Sequence, residues 1–247
     1  MTGPGAKSRR VFLTAAWRHL AMLNYRVDQS LLAPYLPAGT TLDLWRGSAI
    51  VSVVGFLFDD TSVLGVPIPF HRSFPEANLR FYVRRDVGGE ARHGVTFLRE
   101  LVPRLAVAWT ARLAYNEPYR ALRMRRRIAM AAEPGGSVSV SYEWMAGAAW
   151  AGVHLAARGR PTAIEPDSEE EFISYRLWGY TGQRDGSTVE YAVEHPRWRV
   201  WRATNARLEG DLSRVYPLEL AREITRPPDS AFLADGSAIS VSMPERI

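Results

Sequence analysis

Short strand-like runs, separated by Gly, Pro and Asp, constrain the fold of this chain more than any other feature. The run "SVSVSYEW" (137–144) alternates between polar and apolar residues, which predicts a strand with one buried face. The run "AIVSVVGFLF" (49–58) is apolar at nearly every position, which predicts a strand buried on both faces. Further runs of this character are 41–45, 77–83, 94–101, 151–157, 187–195 and 198–203. We therefore predict a mainly β, α+β fold whose antiparallel strands form a closed or nearly closed barrel.

A few segments show helical signals and are predicted to lie outside the barrel. The segment 28–36 starts with an aspartate that can cap it, and the segment 103–115 starts with a proline in a first-turn position. The segment 168–178 opens with Ser168 and Glu171 at the spacing of a capping box.

No internal repeat and no low-complexity linker divides the chain. We therefore predict a single barrel domain over residues 10–247, preceded by a flexible N-terminal tail over residues 1–9. A second loose stretch is expected at about 227–237. The sequence leaves open whether the protein forms a homo-oligomer.

Composition excludes several classes of protein. The chain contains no cysteine, so disulfides and thiolate metal sites are excluded. The N-terminal "SRRVFL" is similar to a twin-arginine export signal, but Arg18 and His19 interrupt the apolar stretch that such a signal needs. No run reaches the 18 or so apolar residues of a spanning helix. We therefore expect a soluble, cytoplasmic protein with no membrane association.

Motifs for nucleic acids, metals and nucleotide cofactors are also missing. The net charge is +5, but the dense run "RMRRR" (123–127) interleaves with apolar residues as the solvent face of a strand does, so no nucleic-acid partner is expected. The five histidines are scattered without metal-binding spacing, so no metal site is predicted. No nucleophile elbow or glycine-rich phosphate loop occurs, and no cofactor is predicted.

The segment "FHRSFPEANLRFYVRR" (70–85) carries the most distinctive polar pattern. Apolar residues alternate with Glu76, Asn78 and Arg80, so these three side chains share one face of a strand. Such a face can meet solvent, or it can line a pocket. In a pocket, Arg80 would clamp the carboxylate of a ligand and Glu76 would act as an acid or a base.

Two neighbouring segments could contribute to the same pocket. His71 lies in a proline-rich loop, where its imidazole either titrates near neutrality beside a ligand or lies on the surface. In "AYNEPY", Tyr115, Asn116 and Glu117 crowd the end of a predicted helix before Pro118. Polar residues at that place either line a pocket or end the helix, and the sequence alone favours neither.

Several of these segments resemble the DUF2071, or YqjF-like, family of uncharacterised bacterial proteins. The resemblance covers about residues 12–201. It departs at "ISYRLWGY", where Arg176 and Leu177 replace the acidic and aromatic residues usual in the family. The matching segments are "FLTAAWRHLAMLNYRVD", "LLAPYLPAGTTLDLWRG", "VSVVGFLFDDT", "GVPIPFHRSFPEANLRFYVRR", "GVTFLRELVPR", "YNEPY", "LWGYT" and "YAVEHPRW".

That family in turn resembles the acetoacetate decarboxylase-like superfamily, which implies a cone-shaped antiparallel barrel with a small internal cavity. The resemblance implies that Glu76 and Glu117 correspond to two cavity glutamates, and that the catalytic lysine would fall near "RALRMRR" (120–126). The only lysine of the chain is Lys7. Arginine cannot form a Schiff base because its guanidinium stays protonated, so decarboxylation through an iminium is excluded.

Three functions remain compatible with the sequence. The first is a lysine-independent lyase, hydratase or isomerase acting on a small keto or hydroxy acid, in which Arg80 or Arg104 binds the carboxylate and Glu76 or Glu117 moves a proton. The second is a non-catalytic binding protein for a small amphipathic ligand, lined by Tyr115, Phe81 and tryptophans. The third is a structural protein whose barrel is filled with side chains.

Overall fold

The computed structural model describes residues 9–67, 72–103, 116–133 and 135–247. Within these ranges the helices are α1 (Glu169–Ser174) and α2 (Leu218–Glu223), with 3₁₀ turns at Gln29–Leu31, Ala33–Tyr35 and Leu212–Arg214. The strands are β1 (Val11–Val27), β2 (Thr41–Leu42), β3 (Ala49–Val63), β4 (Val66–Pro67), β5 (Phe74–Val87), β6 (Glu90–Val102), β7 (Tyr119–Ala121), β8 (Met124–Ala129), β9 (Gly135–Ala146), β10 (Ala149–Gly159), β11 (Thr162–Ala163), β12 (Trp178–Gly182), β13 (Thr188–Glu194), β14 (Arg199–Glu209), β15 (Ser230–Ser242) and β16 (Glu245–Arg246).

The main sheet is strongly curved and closes on itself. Its order is β16-β13-β12-β6-β5-β3-β1-β15-β14-β10-β9-β8, and an additional pairing of β13 with β15 joins the strands from β13 to β15 into a ring. From β15 the sheet continues outward through β14, β10, β9 and β8. The predicted mainly β class is therefore confirmed. The ring is less regular than a uniform antiparallel barrel, because β12 runs parallel to β6 and β7 also runs parallel to β6.

Two apolar cores lie on opposite sides of the ring wall. The outer core packs Val53, Leu79 and Phe81 of the ring against Tyr142 and Trp144 of the outward extension. Gly55 permits this approach, because a Cβ at that position would lie 2.7 Å from the Tyr142 ring. The inner core lies inside the ring. Strands β3 and β5 are consequently buried on both faces over 49–58 and 74–83, as predicted for 49–58.

The inner core is formed by a second set of side chains, including Met22, Val54, Phe56, Phe74 and Tyr82.

The hairpin of β12 and β13 is the least hydrogen-bonded part of the ring. β12 meets β6 only at Trp178 with Gly94 and at Gly179 with Val95. β13 meets β15 at Val193 and Glu194. By contrast, the register of β1 with β3 extends from Leu13 to Val27.

Ion pairs fix the outer face of this hairpin. The Glu190 side chain is fully buried, and its carboxylate receives Arg9 at 2.8 Å, Arg85 at 3.0 Å and Arg92 at 2.6 Å. Arg9 and Arg92 also lie over the Trp178 ring, at 4.8 and 4.3 Å from its centroid. These pairs anchor β13 to β5 and β6 through side chains.

The helical predictions were partly wrong. The segment 28–36 forms two 3₁₀ turns, because Pro34 has no N–H to continue an α-helix. Helix α1 is shorter than the predicted 168–178 and leaves the helical region at Tyr175, although Ser168 accepts the backbone N–H of Glu171 as expected. The predicted loose stretch at 227–237 is wrong, since β15 begins at Ser230 and crosses it. The predicted helix 103–115 lies outside the described residues beyond Pro103.

The arginine run lies on the edge strand β8, where its side chains are exposed and Arg125 pairs with Glu143 at 2.7 Å. Charged side chains on an edge strand oppose pairing with another chain. None of the helices in the described ranges has the length and apolar composition that crossing a membrane would require.

Candidate functional site

The inside of the ring contains a cavity of about 160 Å³. Its wall combines ionisable side chains with a large aromatic surface. The four predicted residues Glu76, Asn78, Arg80 and Glu117 all line it, and Trp17 and Trp198 are among its walls. Its other polar and ionisable lining residues are Thr61, Glu100, Tyr119, Ser174, Arg176, Tyr191 and His195.

The register of β3 with β5 orders these side chains along the cavity. On the inner face, Phe58 pairs with Phe74, Phe56 with Glu76, Val54 with Asn78, and Ser52 with Arg80. Since a strand rises about 3.3 Å per residue, the Cα atoms of Glu76 and Arg80 are separated by about 13 Å. An aromatic end, a carboxylate middle and an arginine end therefore follow one another along β5.

Glu76 is 2 % exposed and is held by two donors inside the cavity. The Asn78 amide donates to one carboxyl oxygen at 3.2 Å, and the Tyr119 hydroxyl donates to the other at 3.2 Å. Burial, which disfavours the charged form, raises the pKa of Glu76 to about 8. The nearby Glu117 carboxylate adds to this rise, whereas the Asn78 hydrogen bond opposes it.

Two further glutamates complete a carboxylate cluster, which we define as Glu76, Glu100 and Glu117. Burial raises the pKa of Glu117 to about 7, and the hydroxyl of Tyr191, which donates to its carboxylate, limits the rise. Burial and the two neighbouring carboxylates hold the pKa of Glu100 well above its ordinary value. Because the three groups repel each other when ionised, the cluster retains protons at neutral pH.

A close backbone approach positions the Tyr191 ring beside Glu117. A Cβ on Gly179 would lie 2.1 Å from Cζ of Tyr191, so only glycine leaves room for the ring in this position. Gly179 and Tyr191 face each other across the β12–β13 hairpin. The glycine of "LWGY" is therefore part of the site through the tyrosine that it accommodates.

The arginine end carries more buried positive charge than the described residues neutralise. Arg80 is 8 % exposed, and it donates to the backbone oxygen of Ile173 at 3.2 Å. Its Nε atom is buried and has no hydrogen-bond partner among the described residues. No carboxylate in the described ranges forms an ion pair with it, so Arg80 presents an uncompensated cation to the cavity.

Arg176 is the second guanidinium at this end, and it is tied to Asp43. Its Nη1 lies 2.9 Å from the Asp43 carboxylate, which also meets Nδ1 of His93 at 2.7 Å. The guanidinium lies 3.9 Å from the centroid of the Phe172 ring. Burial lowers the pKa of Arg176, and Asp43 opposes this effect. Like Arg80, Arg176 has a buried Nε without a partner among the described residues.

Replacing Asp43 by asparagine is expected to destabilise the protein by about 3–5 kcal/mol, because it leaves the buried Arg176 guanidinium without its counter-charge. Urea unfolding measures this difference. Asp60→Asn provides the matched control, since Asp60 and its partner Arg72 are 74 % and 63 % exposed. That exposed pair should contribute about 0–1 kcal/mol. Equal effects of the two substitutions would contradict the assignment of Asp43 as the buried counter-ion.

His195 lies in the wall between the arginines and the aromatic residues. Its ring stacks on Trp198 at 4.4 Å, and its Nδ1 lies 2.9 Å from the carbonyl oxygen of Pro196. Because a carbonyl can only accept, Nδ1 carries the hydrogen of this bond. Burial lowers the pKa of His195, so the neutral ring dominates at pH 7.

Other predicted site residues lie elsewhere. Asn116 is not among the lining residues; its amide donates to the carbonyl oxygen of Gly182 at 3.3 Å, and its φ of +57° lies in the left-handed region. Phe81 packs in the outer core and cannot line the cavity, because successive strand residues face opposite sides. His71, Arg104 and Tyr115 lie outside the described residues.

Sequence reasoning missed Glu100, Arg176, Tyr191 and His195 as site residues. Glu100 lies in the predicted strand run 94–101, but strict alternation along that run does not place its side chain with Val95 and Phe97. Within the described ranges, no group of three or more His, Asp or Glu side chains has the arrangement of a metal site.

The structure has the acetoacetate decarboxylase-like fold, with a buried cavity of carboxylates and arginines. It superposes on acetoacetate decarboxylase from Legionella pneumophila with a TM-score of 0.66 and 13 % identity, covering 100 % of this chain and 92 % of that one. An acetoacetate decarboxylase-like enzyme from Sphingomonas wittichii RW1 gives 0.65 and 14 %, covering 100 % and 97 %. The enduracididine biosynthesis enzyme MppR complexed with pyruvate gives 0.64 and 12 %, covering 99 % and 93 %.

Within this fold, the chain belongs to the family DUF2071, described as an uncharacterized conserved protein, which matches residues 14–238. It is also similar to the uncharacterized protein YqjF of Bacillus subtilis (strain 168). The two are 28 % identical over 221 residues, which cover 88 % of this chain and 84 % of YqjF.

Proposed function

We propose that this protein binds a small keto or hydroxy acid in the ring cavity and transfers a proton to or from it, as a lyase, hydratase or isomerase does. The observation that carries the proposal is the placement of Arg80 and the carboxylate cluster on one cavity wall. The uncompensated Arg80 guanidinium attracts the carboxylate of a ligand. The carboxylate cluster lies about the length of one small molecule from Arg80, and its protonated and ionised members supply an acid and a base.

The pKa values of the cluster suit proton transfer at neutral pH. Glu117, with a pKa raised only to about 7 and a donor in Tyr191, is the better base. Glu76, with a pKa near 8, is the better acid. The base removes a proton from the carbon beside the ligand carbonyl, the electron pair of that C–H bond forms a C=C bond, and the π pair of the carbonyl moves to its oxygen. The acid protonates this oxygen, giving an enol.

The next step of this enol determines the reaction class. If the deprotonated carbon carries a hydroxyl, the enol is an enediol, and protonation of the former carbonyl carbon, with loss of the proton from that hydroxyl, completes an isomerisation. In a β-hydroxy acid, departure of the hydroxyl as water, with a proton from the cluster, completes a dehydration. Neither path needs an amine nucleophile, which agrees with a chain whose only lysine is Lys7. Pyruvate bound to MppR gives a precedent for a small keto acid in this fold.

A second candidate function is non-catalytic binding of a small amphipathic ligand. The aromatic part of the wall favours it, because Trp17, Phe58 and Phe74 offer a ligand contact but no chemistry. In that case the carboxylate cluster would only hydrogen-bond to the ligand.

Deuterium exchange separates the two functions. The protein is first screened by thermal shift against small 2-keto, 3-keto and hydroxy acids, where a ligand at about 100 times its Kd should add about 2.7 kcal/mol of stability. Acids that bind are then incubated with the protein in D₂O, and loss of the C–H signal beside the carbonyl is followed by NMR.

We expect exchange with the wild type and with Glu219→Gln, whose glutamate is exposed on α2, and a large loss with Glu76→Gln and Glu117→Gln. Binding without exchange would favour the non-catalytic function. No stabilisation by any acid of the panel would contradict the proposed binding and turnover of a keto or hydroxy acid.

A further inference from the structure

The cavity is longer than a small keto acid needs. Arg80 lies at one end of its wall, and Phe74 lies six residues away on the same strand face. At about 3.3 Å per residue, their Cα atoms are separated by about 20 Å. A three-carbon acid held by Arg80 reaches the carboxylate cluster but leaves the aromatic end unoccupied.

The aromatic end forms a continuous surface. Phe58 and Phe74 stack with their ring centroids 4.9 Å apart, and Trp17 meets Phe56 and Phe58 edge-on at 5.6 and 6.0 Å. All three phenylalanines are at least nine-tenths buried, with 3 %, 7 % and 3 % exposure for Phe56, Phe58 and Phe74. These edges and faces suit a flat apolar group, since aromatic rings prefer such offset and edge-to-face neighbours.

The volume of the cavity limits the size of that group. An apolar cavity of about 150 Å³ holds one benzene molecule. The cavity here has about 160 Å³ in all, so its aromatic end has room for no more than a single ring or a branched alkyl group of similar size. Larger groups such as fused polycyclic systems or long acyl chains do not fit.

We infer that the ligand of this cavity is a short keto or hydroxy acid that carries a single aryl or comparably bulky apolar substituent. Its carboxylate lies between Arg80 and Arg176, its keto or hydroxyl group at the carboxylate cluster, and its apolar group against Phe58, Phe74 and Trp17. The inference rests on the proposed function for the binding of an acid, and it adds the apolar class of the substituent.

Arg176 gains a definite role in this arrangement. It has a buried Nε without a partner in the described ranges, as Arg80 has, and the two guanidinium groups lie over the same Tyr82 ring, at 5.6 Å for Arg176 and 5.9 Å for Arg80 from its centroid. A carboxylate between them would receive hydrogen bonds from both and relieve their repulsion. Asp43 then acts as a positioning residue that keeps Arg176 at the cavity wall.

Calorimetric titration with pyruvate, phenylpyruvate and phenylacetone tests the inference on the native chain. Phenylpyruvate is expected to bind roughly 10- to 100-fold more tightly than pyruvate, because it buries an additional ring. Phenylacetone, which has the ring and the ketone but no carboxylate, is expected to bind at least tenfold more weakly than phenylpyruvate.

Two matched variants locate the preference. Phe58→Leu should reduce the ratio of the two keto-acid affinities several-fold, mainly by weakening the binding of phenylpyruvate. Phe81→Leu, which changes the outer core of the same ring wall, should lower the unfolding temperature without altering the ratio.

The outcomes separate the inference from the proposed function. Failure of both keto acids to bind would contradict the proposed function and the inference with it. Binding of pyruvate with equal or higher affinity than phenylpyruvate would contradict the inference alone. Equal affinities for phenylacetone and phenylpyruvate would overturn the placement of the carboxylate between the arginines.

Discussion

Replacing Arg80 with methionine is expected to stabilise the ligand-free protein and to abolish most of its affinity for acids. Methionine keeps the length and the apolar stem of the side chain but removes a buried cation that no described carboxylate neutralises. Replacing a buried ion pair by apolar groups of similar volume is often neutral or stabilising by about 1–4 kcal/mol, and a buried cation without a counter-ion also carries a desolvation cost. Loss of the Ile173 hydrogen bond opposes the gain, so we expect a net increase of about 1 kcal/mol in the unfolding free energy.

The affinity should change in the opposite direction. Hydrogen bonds to charged groups contribute about 1.5–3 kcal/mol each, so losing two of them from Arg80 to a ligand carboxylate reduces affinity by roughly 100-fold or more. Urea unfolding without ligand and calorimetric titration with a keto acid measure the two effects. A purely structural arginine would show lower stability and unchanged affinity, and that pair of results would contradict its role in ligand binding.

The second large effect concerns pH. The folded-state pKa of Glu76 is raised from 4.5 to about 8. Between these values the folded state keeps a proton that the unfolded state releases, so this group makes the unfolding free energy fall as pH rises. The full contribution is present below about pH 4.5 and is lost on passing through pH 8. The loss is about 1.4 kcal/mol per pH unit for one such group.

Glu76→Gln isolates this contribution because glutamine resembles the protonated glutamic acid in size and charge. The variant should be more stable than the wild type at pH 8, with a difference that shrinks towards zero at pH 4.5. Buried histidines with lowered pKa values, such as His195, act in the opposite direction, but they are common to both proteins and cancel in the difference. Chemical unfolding at several pH values provides the measurement. A difference that does not change with pH would show that folding does not shift the pKa of Glu76.

Much of the ring could be predicted from hydrophobic pattern. In the ring, segment 49–58 is buried on both faces as its sequence indicates, and Glu76, Asn78 and Arg80 share one face of β5. In the outward extension, segment 137–144 buries one face, as its alternation indicates. The pattern cannot say what covers the polar face of a strand, because that depends on ring closure. Closure requires β13 to pair with β15. Both of these strands lie far from β5 in the sequence, and no local pattern encodes their pairing.

Glu100 shows why part of the site escapes such reasoning. Strict alternation along β6 would place Glu100 on the face opposite Val95 and Phe97. The register against β5 shifts between Leu79 and Arg80, where Leu98 is an additional residue on β6. This bulge reverses the facing of every later residue, so Glu100 points into the ring with Val95 and Phe97. A single inserted residue in a ladder leaves little trace in composition.

The segment before "WGY" contributes a residue to the site although its sequence argued against such a role. Arg176 and Leu177 depart from the pattern usual in the family, which argued against a role for this segment. In the structure, α1 ends at Ser174, and the irregular chain that follows places Arg176 in the cavity wall beside Phe172. The position is defined by the end of a short helix, which sequence signals locate only to within a few residues.

The hairpin of β12 and β13 has a consequence for how the cavity communicates with solvent. Short ladders join it to its neighbours at both edges, and the three arginines around Glu190 supply much of its remaining attachment. Ion pairs at partly exposed sites are screened by salt, whereas the long ladders elsewhere in the ring are not. We therefore expect local opening to begin at this hairpin and to become easier as ionic strength rises. Such a movement would withdraw Tyr191 from Glu117, so ionic strength would act on ligand exchange and on the acidity of the cluster together.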